Sequence, residues 1–303
     1  MGAGHPECPE RLDAIQDRLH VSGVADALQW REPVPATMGQ LLLAHGRRHV
    51  AALRGLSDML VEDIAAGGPS RFSLDPDTSI NQYTWRAALL SAGAAVEAVD
   101  AVMAGELENA FCLTRPPGHH ATRDQAMGFC FFSNVAIAAK YACEHHGLER
   151  VAIVDFDVHH GNGTEDIVAG DDRILMVSFY QHPFYPEGPK RHDANLVNCP
   201  VPAYTNGMAI RELIDLMWMP RLEAHRPQLV LISAGFDAHR SDDMAQLMLN
   251  ENDYIWMTER VKEVAARHAD GRIVSCLEGG YNLLALARSV ETHIRVLADL
   301  HGG

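Results

Sequence analysis

Five short runs of apolar residues, separated by longer segments with helical spacing, constrain the fold of this chain more than any other feature. Each run is almost continuously apolar, which is typical of strands covered on both faces in a parallel sheet. The predicted strands are Phe111–Thr114, Val151–Val154, Ile174–Ser178, Leu229–Ser233 and Ile273–Leu277. The predicted helices are Tyr83–Ala104, Asn134–His146, Ile210–His225, Asp253–Ala269 and Leu283–Leu300. This alternation predicts an α/β fold with an open, mostly parallel β-sheet and helices on both faces.

The chain is predicted to form one domain spanning residues 1–303. This length is within the range of a single large α/β domain, and the content of 47% apolar and 21% charged residues is ordinary for a globular protein. We find no internal repeat or low-complexity tract that would divide the sequence. The stretch His182–Tyr204, which contains proline and glycine, is interpreted as a long functional connection inside the domain and not as a linker.

The chain is acidic, with 25 Lys and Arg against 40 Asp and Glu and a formal net charge of −15. Such a chain gains nothing from counterion release on nucleic acid and is repelled by anionic membranes, so neither is an expected partner. The six cysteines form no CxxC pair, and several lie in apolar runs, which favours reduced thiols. Because the first residues lack the apolar run of a signal peptide, we expect a cytoplasmic location.

Chemically reactive side chains follow four of the predicted strands. His119 and His120 come after the first strand, and the segment Asp155–His159 follows the second. Asp237 and Tyr281 come after the fourth and fifth strands. Parallel strands present their carboxyl ends at one edge of a sheet, where ligands bind in open α/β folds. We therefore expect these side chains to converge on one active site.

Asp157, His159 and Asp237 are candidate ligands of a catalytic zinc ion. Residues two apart at a strand end point the same way, so Asp157 and His159 can reach one ion, and Asp237 supplies a third ligand from another strand end. Three protein ligands and an open position are the pattern of a catalytic zinc site. An isolated Asp-x-His is more often a solvated loop, but the strand-end position, the second carboxylate at Asp155 and the glycines that follow favour a metal site.

His119, His120 and Tyr281 are candidates for the catalytic chemistry. The two histidines follow a stiff Pro-Pro-Gly turn, and beside a metal one imidazole can take a proton from water and give it to the leaving amine. Asp155 is placed to orient one of the imidazoles. Tyr281 follows two glycines that allow close backbone approach, so its hydroxyl can stabilise an oxyanion. Without the rest of the site, a buried structural tyrosine would be an equally good interpretation.

Taken together, these motifs resemble those of the histone deacetylase superfamily, which has the arginase–deacetylase fold. The segments occur in the family's order, and the resemblance extends from about Gly4 to the C-terminus. They are Arg115–Ala121, Gly128–Cys130, Asp155–Thr164, Ser233–Ala238 and Glu278–Tyr281. The third and fourth of these segments, Asp155–Thr164 and Ser233–Ala238, are similar to the class II branch and its bacterial relatives. The resemblance implies a zinc-dependent amidohydrolase that removes acetyl or other acyl groups from N-acetyl-lysine side chains.

The resemblance also assigns roles to particular residues. It implies that Asp157, His159 and Asp237 bind zinc and that Tyr281 donates to the acyl oxyanion. His120 is implied to be the general base and acid. Asp155 is implied to be the partner of His119, and Asn162 the partner of His120. Gly128, Phe129 and Tyr185 are implied to line the substrate tunnel. Asp77 is implied to accept a hydrogen bond from the substrate backbone at the rim. A structural potassium ion is also implied, with ligands from Asp155, Asp157, His159, Ser178 and Phe179.

Two departures from the family pattern concern the N-terminus and the tunnel mouth. The family usually has a strand upstream of the Gly-His-Pro-Glu segment, whereas this chain opens at Met1, and Pro186–Pro189 replaces the usual Pro-Gly-Thr-Gly. The expected substrate is an acetylated lysine in a protein or peptide, and the alternative is a small acetylated amine such as an acetylpolyamine. Met244 stands where acetylpolyamine deacetylases are expected to carry a glutamate, which favours acyl-lysine. A catalytically inactive acyl-lysine binding module is a minor alternative, and a homo-oligomer is left open.

Overall fold

A computed structural model describes residues 2, 4–188 and 191–300 of the chain. Within these residues, strands follow the five predicted apolar runs, together with three strands that were not predicted. The strands are β1 (Arg71–Ser73), β2 (Ser79–Asn81), β3 (Asn109–Cys112), β4 (Val151–Asp155), β5 (Ile174–Gln181), β6 (Leu196–Val201), β7 (Leu229–Ala234) and β8 (Ile273–Leu277). Six of them form one parallel sheet in the order β3-β8-β7-β4-β5-β6, and β1 pairs with β2 in a small antiparallel hairpin. The predicted α/β class and open parallel sheet are thus confirmed.

Helices cover both faces of the large sheet, as predicted. They are α1 (Glu10–Val21), α2 (Met38–Leu41), α3 (Arg47–Ala65), α4 (Thr84–Met103), α5 (Asn134–His145), α6 (Asn162–Val168), α7 (Gly207–Leu213), α8 (Met219–His225), α9 (Glu251–His268) and α10 (Leu283–Leu297). A π-helical turn, Ile214–Trp218, joins α7 to α8. Alternate residues of each strand point to opposite faces, so Val154 packs in one core with α1, α9 and α10, whereas Ile153 packs in the other with α3, α4 and α5. None of the helices in the described part of the chain is long and apolar enough to cross a membrane.

The segment His182–Tyr204, interpreted as a long connection, contains the strand β6, which was not predicted. The strand was missed because Asn198 and Pro200 interrupt its apolar pattern. Proline cannot donate to a ladder and is tolerated at the edge of a sheet, which is where β6 lies. The segment Pro186–Pro189, which replaces the family's usual Pro-Gly-Thr-Gly, is described only as far as Gly188.

Several boundaries also differ from the predicted ones. The first predicted strand lies two residues earlier, at Asn109–Cys112, because it is the segment from Asn109 onward that pairs with β8 from Ile273. The last helix ends at Leu297 and not at Leu300. Helices α1 to α3 and α6 were not predicted, although α1 and α3 carry apolar residues at amphipathic spacing.

A groove lies at the β3 edge of the large sheet, and no strand from the described first residues of the chain occupies it. Gly2 and residues 4–9 form no strand, and Met1 and Ala3 lie outside the described residues. Strand β3 pairs only with β8 among the residues described, and a groove of about 640 Å³ lies between β3 and the irregular segment 28–33. The strand that the family usually carries upstream is therefore not seen in this part of the chain.

Candidate active site

Asp157, His159 and Asp237 converge in a buried cluster beyond the carboxyl ends of β4 and β7. Each offers one ligand atom, and these atoms all lie within 4.8 Å of one another. Nδ1 of His159 is 3.1 Å from Oδ1 of Asp157 and 3.2 Å from Oδ2 of Asp237. The three side chains are almost wholly buried. They are therefore close enough to share one metal ion.

Backbone N–H groups hold both carboxylates of this cluster in place. Asp157 accepts at Oδ2 from the N–H of Gly279 and at Oδ1 from the N–H of His159, both at 2.8 Å. Asp237 accepts at Oδ1 from the N–H of Val158 at 3.0 Å. A Cβ at Gly279 would lie 2.0 Å from Oδ2 of Asp237, so only glycine allows the β8 end to approach this closely.

The charges of the cluster suit a divalent cation. Two carboxylates buried side by side are costly unless a cation compensates them. Burial and the charge of Asp157 raise the pKa of Asp237 to about 6. Burial opposes protonation of His159, but the neighbouring carboxylates of Asp157 and Asp237 raise its pKa to about 10. Oδ2 of Asp237 is buried and accepts no hydrogen bond of good geometry among the described residues, so it is available as a ligand. An imidazole nitrogen and carboxylate oxygens are ligands that zinc accepts.

The two histidines of the Pro-Pro-Gly turn lie beside this cluster with different partners. Nδ1 of His119 is 3.1 Å from Oδ2 of Asp155, and Nδ1 of His120 is 2.8 Å from Oδ1 of Asn162. The two imidazole centroids are 4.0 Å apart. Because the amide oxygen of Asn162 only accepts, Nδ1 of His120 carries the proton and Nε2 keeps its lone pair.

The same arrangement separates the pKa values of the two histidines. Burial opposes a charge on His119, but the charges of Asp157 and Asp155 raise its pKa well above the usual range. Burial, reinforced by His119 and His159, lowers the pKa of His120 well below the usual range. The surroundings of His119 thus favour its charged form, and those of His120 favour its neutral form. Pairs of titratable groups with opposed shifts are typical of acid–base sites.

Glu278, directly after β8, fixes the turn that carries the histidines. Its Oε2 accepts from the N–H groups of Gly118 at 2.7 Å and His119 at 3.1 Å, and its Oε1 accepts from the hydroxyl of Ser233 at 3.1 Å. Burial raises the pKa of Glu278 to about 7. Glu278 was not among the predicted site residues. Its signal was a carboxylate that immediately follows a continuous buried strand.

Asp242 holds the turn that carries Tyr281. Its Oδ2 accepts from the N–H groups of Tyr281 at 2.6 Å and Asn282 at 2.9 Å, while Oδ1 accepts from the N–H of Met244 at 3.0 Å. The side chain of Asn282 in turn caps α10 by accepting from Ala285. Desolvation of the Tyr281 hydroxyl raises its pKa well above the usual range, so the hydroxyl stays a donor. Asp242 was not among the predicted site residues.

Arg11, a buried residue of α1, forms hydrogen bonds with the same turn. Arg11 donates from Nε to the carbonyl of Gly280 at 2.7 Å and from a terminal nitrogen to the carbonyl of Glu278 at 2.5 Å. Its guanidinium also lies 4.9 Å from the ring centroid of Tyr281. Glu7 pairs with both Arg11 and Arg115, which ties the first residues of the chain to the end of β3. These contacts were not predicted, because they join segments far apart in the sequence.

Aromatic side chains surround the histidines and Tyr281. The ring centroid of Phe129 is 5.9 Å from that of Tyr281, and the centroid of Tyr185 is 5.2 Å from that of His120. Phe184, which the sequence analysis did not select, stacks on His159 with centroids 5.6 Å apart. Gly128 lies directly against the ring of His120, and both Gly128 and Phe129 have positive φ, of 55° and 69°.

The residues predicted to form the tunnel rim and the potassium site differ in their exposure to solvent. Asp77 is exposed, and its main-chain carbonyl is 3.2 Å from Nε2 of His5. Met244 is half-buried. Asp155 and Ser178 are buried neighbours in register on β4 and β5, and the Ser178 hydroxyl donates to Oδ1 of Asn198 at 3.1 Å. Phe179, the next residue of β5, is buried.

Comparison with known proteins places this geometry in a family. A family model described as a histone deacetylase domain matches residues 5–297. The chain belongs to the histone deacetylase family. It is 41% identical over 288 residues to the histone deacetylase-like amidohydrolase of Pseudomonas aeruginosa, which covers 92% of this chain and 73% of that protein. It is 37% identical over 288 residues to a probable deacetylase of Archaeoglobus fulgidus, which covers 92% of this chain and 77% of that protein.

A solved structure supports the same family at the level of the fold. The crystal structure of the HDA15 HD domain superposes with a TM-score of 0.89 at 33% identity, over 99% of this chain and 84% of that chain. The resemblance stated from the motifs is therefore confirmed, and so is the single-domain α/β architecture. Membership of the histone deacetylase family supports amidohydrolase activity, and the chain is a hydrolase of this type.

Proposed function

We propose that this histone deacetylase family member hydrolyses Nε-acetyl-lysine in proteins or peptides, using one zinc ion held by Asp157, His159 and Asp237. The observation that carries the proposal is the buried three-residue cluster beside two histidines whose pKa values are shifted in opposite directions. A zinc ion held there would polarise the acyl carbonyl and lower the pKa of water. The other steps fall to side chains of this chain.

His120 is proposed as the general base and then the general acid. Its Nε2 is unprotonated because Asn162 fixes the proton on Nδ1, so Nε2 takes the proton of the attacking water. The same nitrogen then returns that proton to the nitrogen of the leaving lysine. His119, paired with Asp155, is proposed to stay charged and to stabilise the negative charge that develops at the acyl oxygen.

Tyr281 is proposed to donate a hydrogen bond to that oxygen. Its turn is fixed by Asp242 through two backbone hydrogen bonds and by Arg11 through the carbonyls on either side of Gly279. A donor held in this way needs no reorganisation when the oxyanion forms. Tyr281 therefore contributes mainly in the transition state and little to binding of the substrate.

Phe129 and Tyr185 are proposed to enclose the apolar stem of the substrate lysine. Aromatic walls favour an uncharged acyl-lysine chain over a second ammonium group. Met244 extends this apolar character to the rim, where it offers a distant ammonium no partner. Asp77 is proposed to accept from the substrate backbone at the exposed rim. Together these features support acetyl-lysine over an acetylpolyamine.

An acetylpolyamine remains the alternative substrate, because a net charge of −15 attracts polycations over a distance. The test compares acetate release from an acetyl-lysine peptide and from N-acetylspermidine. The wild type should prefer the peptide, and Met244→Glu should shift the preference towards the polyamine. Met248→Glu, which adds the same charge at an exposed methionine nearby, should not. A wild type that hydrolyses N-acetylspermidine far faster than any peptide would overturn the substrate assignment.

Two further parts of the proposal concern a bound potassium ion and the cellular location of the enzyme. A structural potassium ion is proposed beside Asp155 and Ser178, with main-chain oxygens of Asp157, His159 and Phe179 as its other ligands. A cytoplasmic location is proposed because all six cysteines are free thiols and five of them are buried. Potassium dependence of thermal stability, compared with the effect of lithium, tests the first of these points.

A further inference from the structure

A second group of metal-ligating side chains lies outside the active site. Of the described residues, Asp100, His145 and His146 are the one other set whose ligand atoms all lie within 4.8 Å of one another. Asp100 belongs to the last turn of α4, and the two histidines end α5. Helix α5 leads into the first residue of β4, so this end of α5 lies at the amino-terminal edge of the sheet. The catalytic residues follow the carboxyl ends of the strands, at the opposite edge.

Tyr141 contacts two of the three side chains, Asp100 and His145. Nε2 of His146 is 2.7 Å from Oδ1 of Asp100. The Tyr141 hydroxyl donates to both carboxylate oxygens of Asp100, at 3.0 and 3.2 Å. The ring of Tyr141 stacks on that of His145 with centroids 4.8 Å apart and planes 14° from parallel. One residue thus orients both the carboxylate and an imidazole, as partners behind metal ligands commonly do.

The chemistry of the group matches a late first-row divalent cation. Two imidazoles and a carboxylate favour zinc, nickel or copper over magnesium or calcium, which prefer sites made of oxygen ligands only. His145 is exposed, and Asp100 and His146 are half-buried, which leaves positions for water ligands. The C-terminal end of α5 also presents unpaired carbonyls, and the partial negative charge there favours a bound cation.

We propose that Asp100, His145 and His146 form a second divalent-metal site of the zinc class, which links the ends of α4 and α5. Binding requires the exposed His145 to turn and the Asp100–His146 pair to open so that one ion lies between the three donor atoms. Such an ion stabilises the folded state by mass action, because the unfolded chain does not hold the three residues together. The site is independent of the catalytic cluster and of the reaction proposed above.

The test measures zinc bound per chain after equilibrium dialysis of the full chain, at zinc concentrations that saturate the active site. The wild type should bind two ions, and His145→Ala should bind one while its deacetylase activity and fold are unchanged. Tyr141→Phe keeps the stacked ring but loses the hydroxyl, so the second ion should bind about 10–100-fold more weakly.

His268→Ala is the matched control. His268 forms a histidine–carboxylate pair with Glu223 at the same 2.7 Å distance, but it belongs to no three-ligand group in the described chain. This variant should still bind two ions. A wild type that binds one ion only, or a His145→Ala variant that still binds two, would overturn the proposal. Loss of the catalytic ion through Asp237→Asn should leave the second ion in place, so failure of one site is distinguishable from failure of the other.

Discussion

Replacing Gly128 by alanine is expected to disable catalysis through the position of His120 alone. A Cβ at residue 128 would lie 2.4 Å from Cδ2 of His120, so the imidazole must retreat by about 1 Å to reach an ordinary contact of 3.4 Å. A misplacement of about 1 Å can cost about 10²-fold in rate. The φ of 55° adds about 1–2 kcal/mol of strain for a non-glycine residue. We therefore expect kcat to fall about 10²-fold while the protein stays folded.

The matched control for this change is Gly23→Ala. Gly23 has a similar φ of 75°, and a Cβ there would meet nothing within 4 Å. Both variants should lose stability from backbone strain in a thermal denaturation scan, and Gly128→Ala should lose more because its Cβ also meets the His120 ring. Only Gly128→Ala should lose activity on an acetyl-lysine peptide. Zinc content should be unchanged in both. Full activity in Gly128→Ala, or equal loss in both variants, would refute the argument that the glycine exists to admit the His120 ring.

Three further predictions concern Glu278, His293 and Tyr281. Glu278→Ala leaves two backbone N–H groups and the Ser233 hydroxyl unpaired, so unfolding free energy should fall by roughly 1–3 kcal/mol for each group and most of the activity should be lost. Glu278→Gln should keep stability and activity in large part. Burial lowers the pKa of His293 to about 3. Below pH about 6.5 the unfolded chain therefore binds a proton at this residue that the folded chain does not bind. As the pH falls through this range, His293 should lower the free energy of unfolding by about 1.4 kcal/mol per pH unit. Tyr281→Phe should lower kcat by about 10²–10³ and leave zinc content unchanged.

Each of these predictions has its own check. Chemical denaturation and kcat of the two Glu278 variants should separate, and equal behaviour would show that the hydrogen bonds are unimportant. His293→Asn should flatten the pH dependence of unfolding between pH about 6.5 and 4, whereas His182→Asn, at an exposed position, should not. For Tyr281→Phe, a trifluoroacetyl-lysine substrate should be spared, and near-full activity on acetyl-lysine would make the tyrosine structural.

The centre of the fold could be predicted from the sequence because its physical signals are local. Strands β4, β7 and β8 are covered on both faces, so their apolar runs are unbroken, and the reactive residues follow directly after them. In a parallel sheet this order alone brings the side chains to one edge. The contact between Asn162 and His120 was expected only from the family resemblance, and the structure places the two side chains 2.8 Å apart.

The parts that could not be predicted depend on contacts between distant segments. Strand β6 carries Pro200 and lies at the edge of the sheet, so its own pattern is weak and its pairing with β5 defines it. Arg11 reads as an ordinary polar residue of an amphipathic helix, yet it is fully buried because the carbonyls of Glu278 and Gly280 accept from it. Asp242 likewise has no local signal, since its partners at Tyr281 and Asn282 are about forty residues away.

The most direct test of the proposed function is acetate release from an acetyl-lysine peptide by metal-stripped protein as zinc is added back. The His145→Ala background is used so that the surface site takes up no zinc. Activity should rise from zero and reach its maximum at one zinc per chain, and Asp237→Asn should stay inactive throughout, while Asp243→Asn, at an exposed position, follows the parent protein. Full activity of the stripped protein, or an Asp237→Asn variant that responds to zinc as the parent does, would contradict the account.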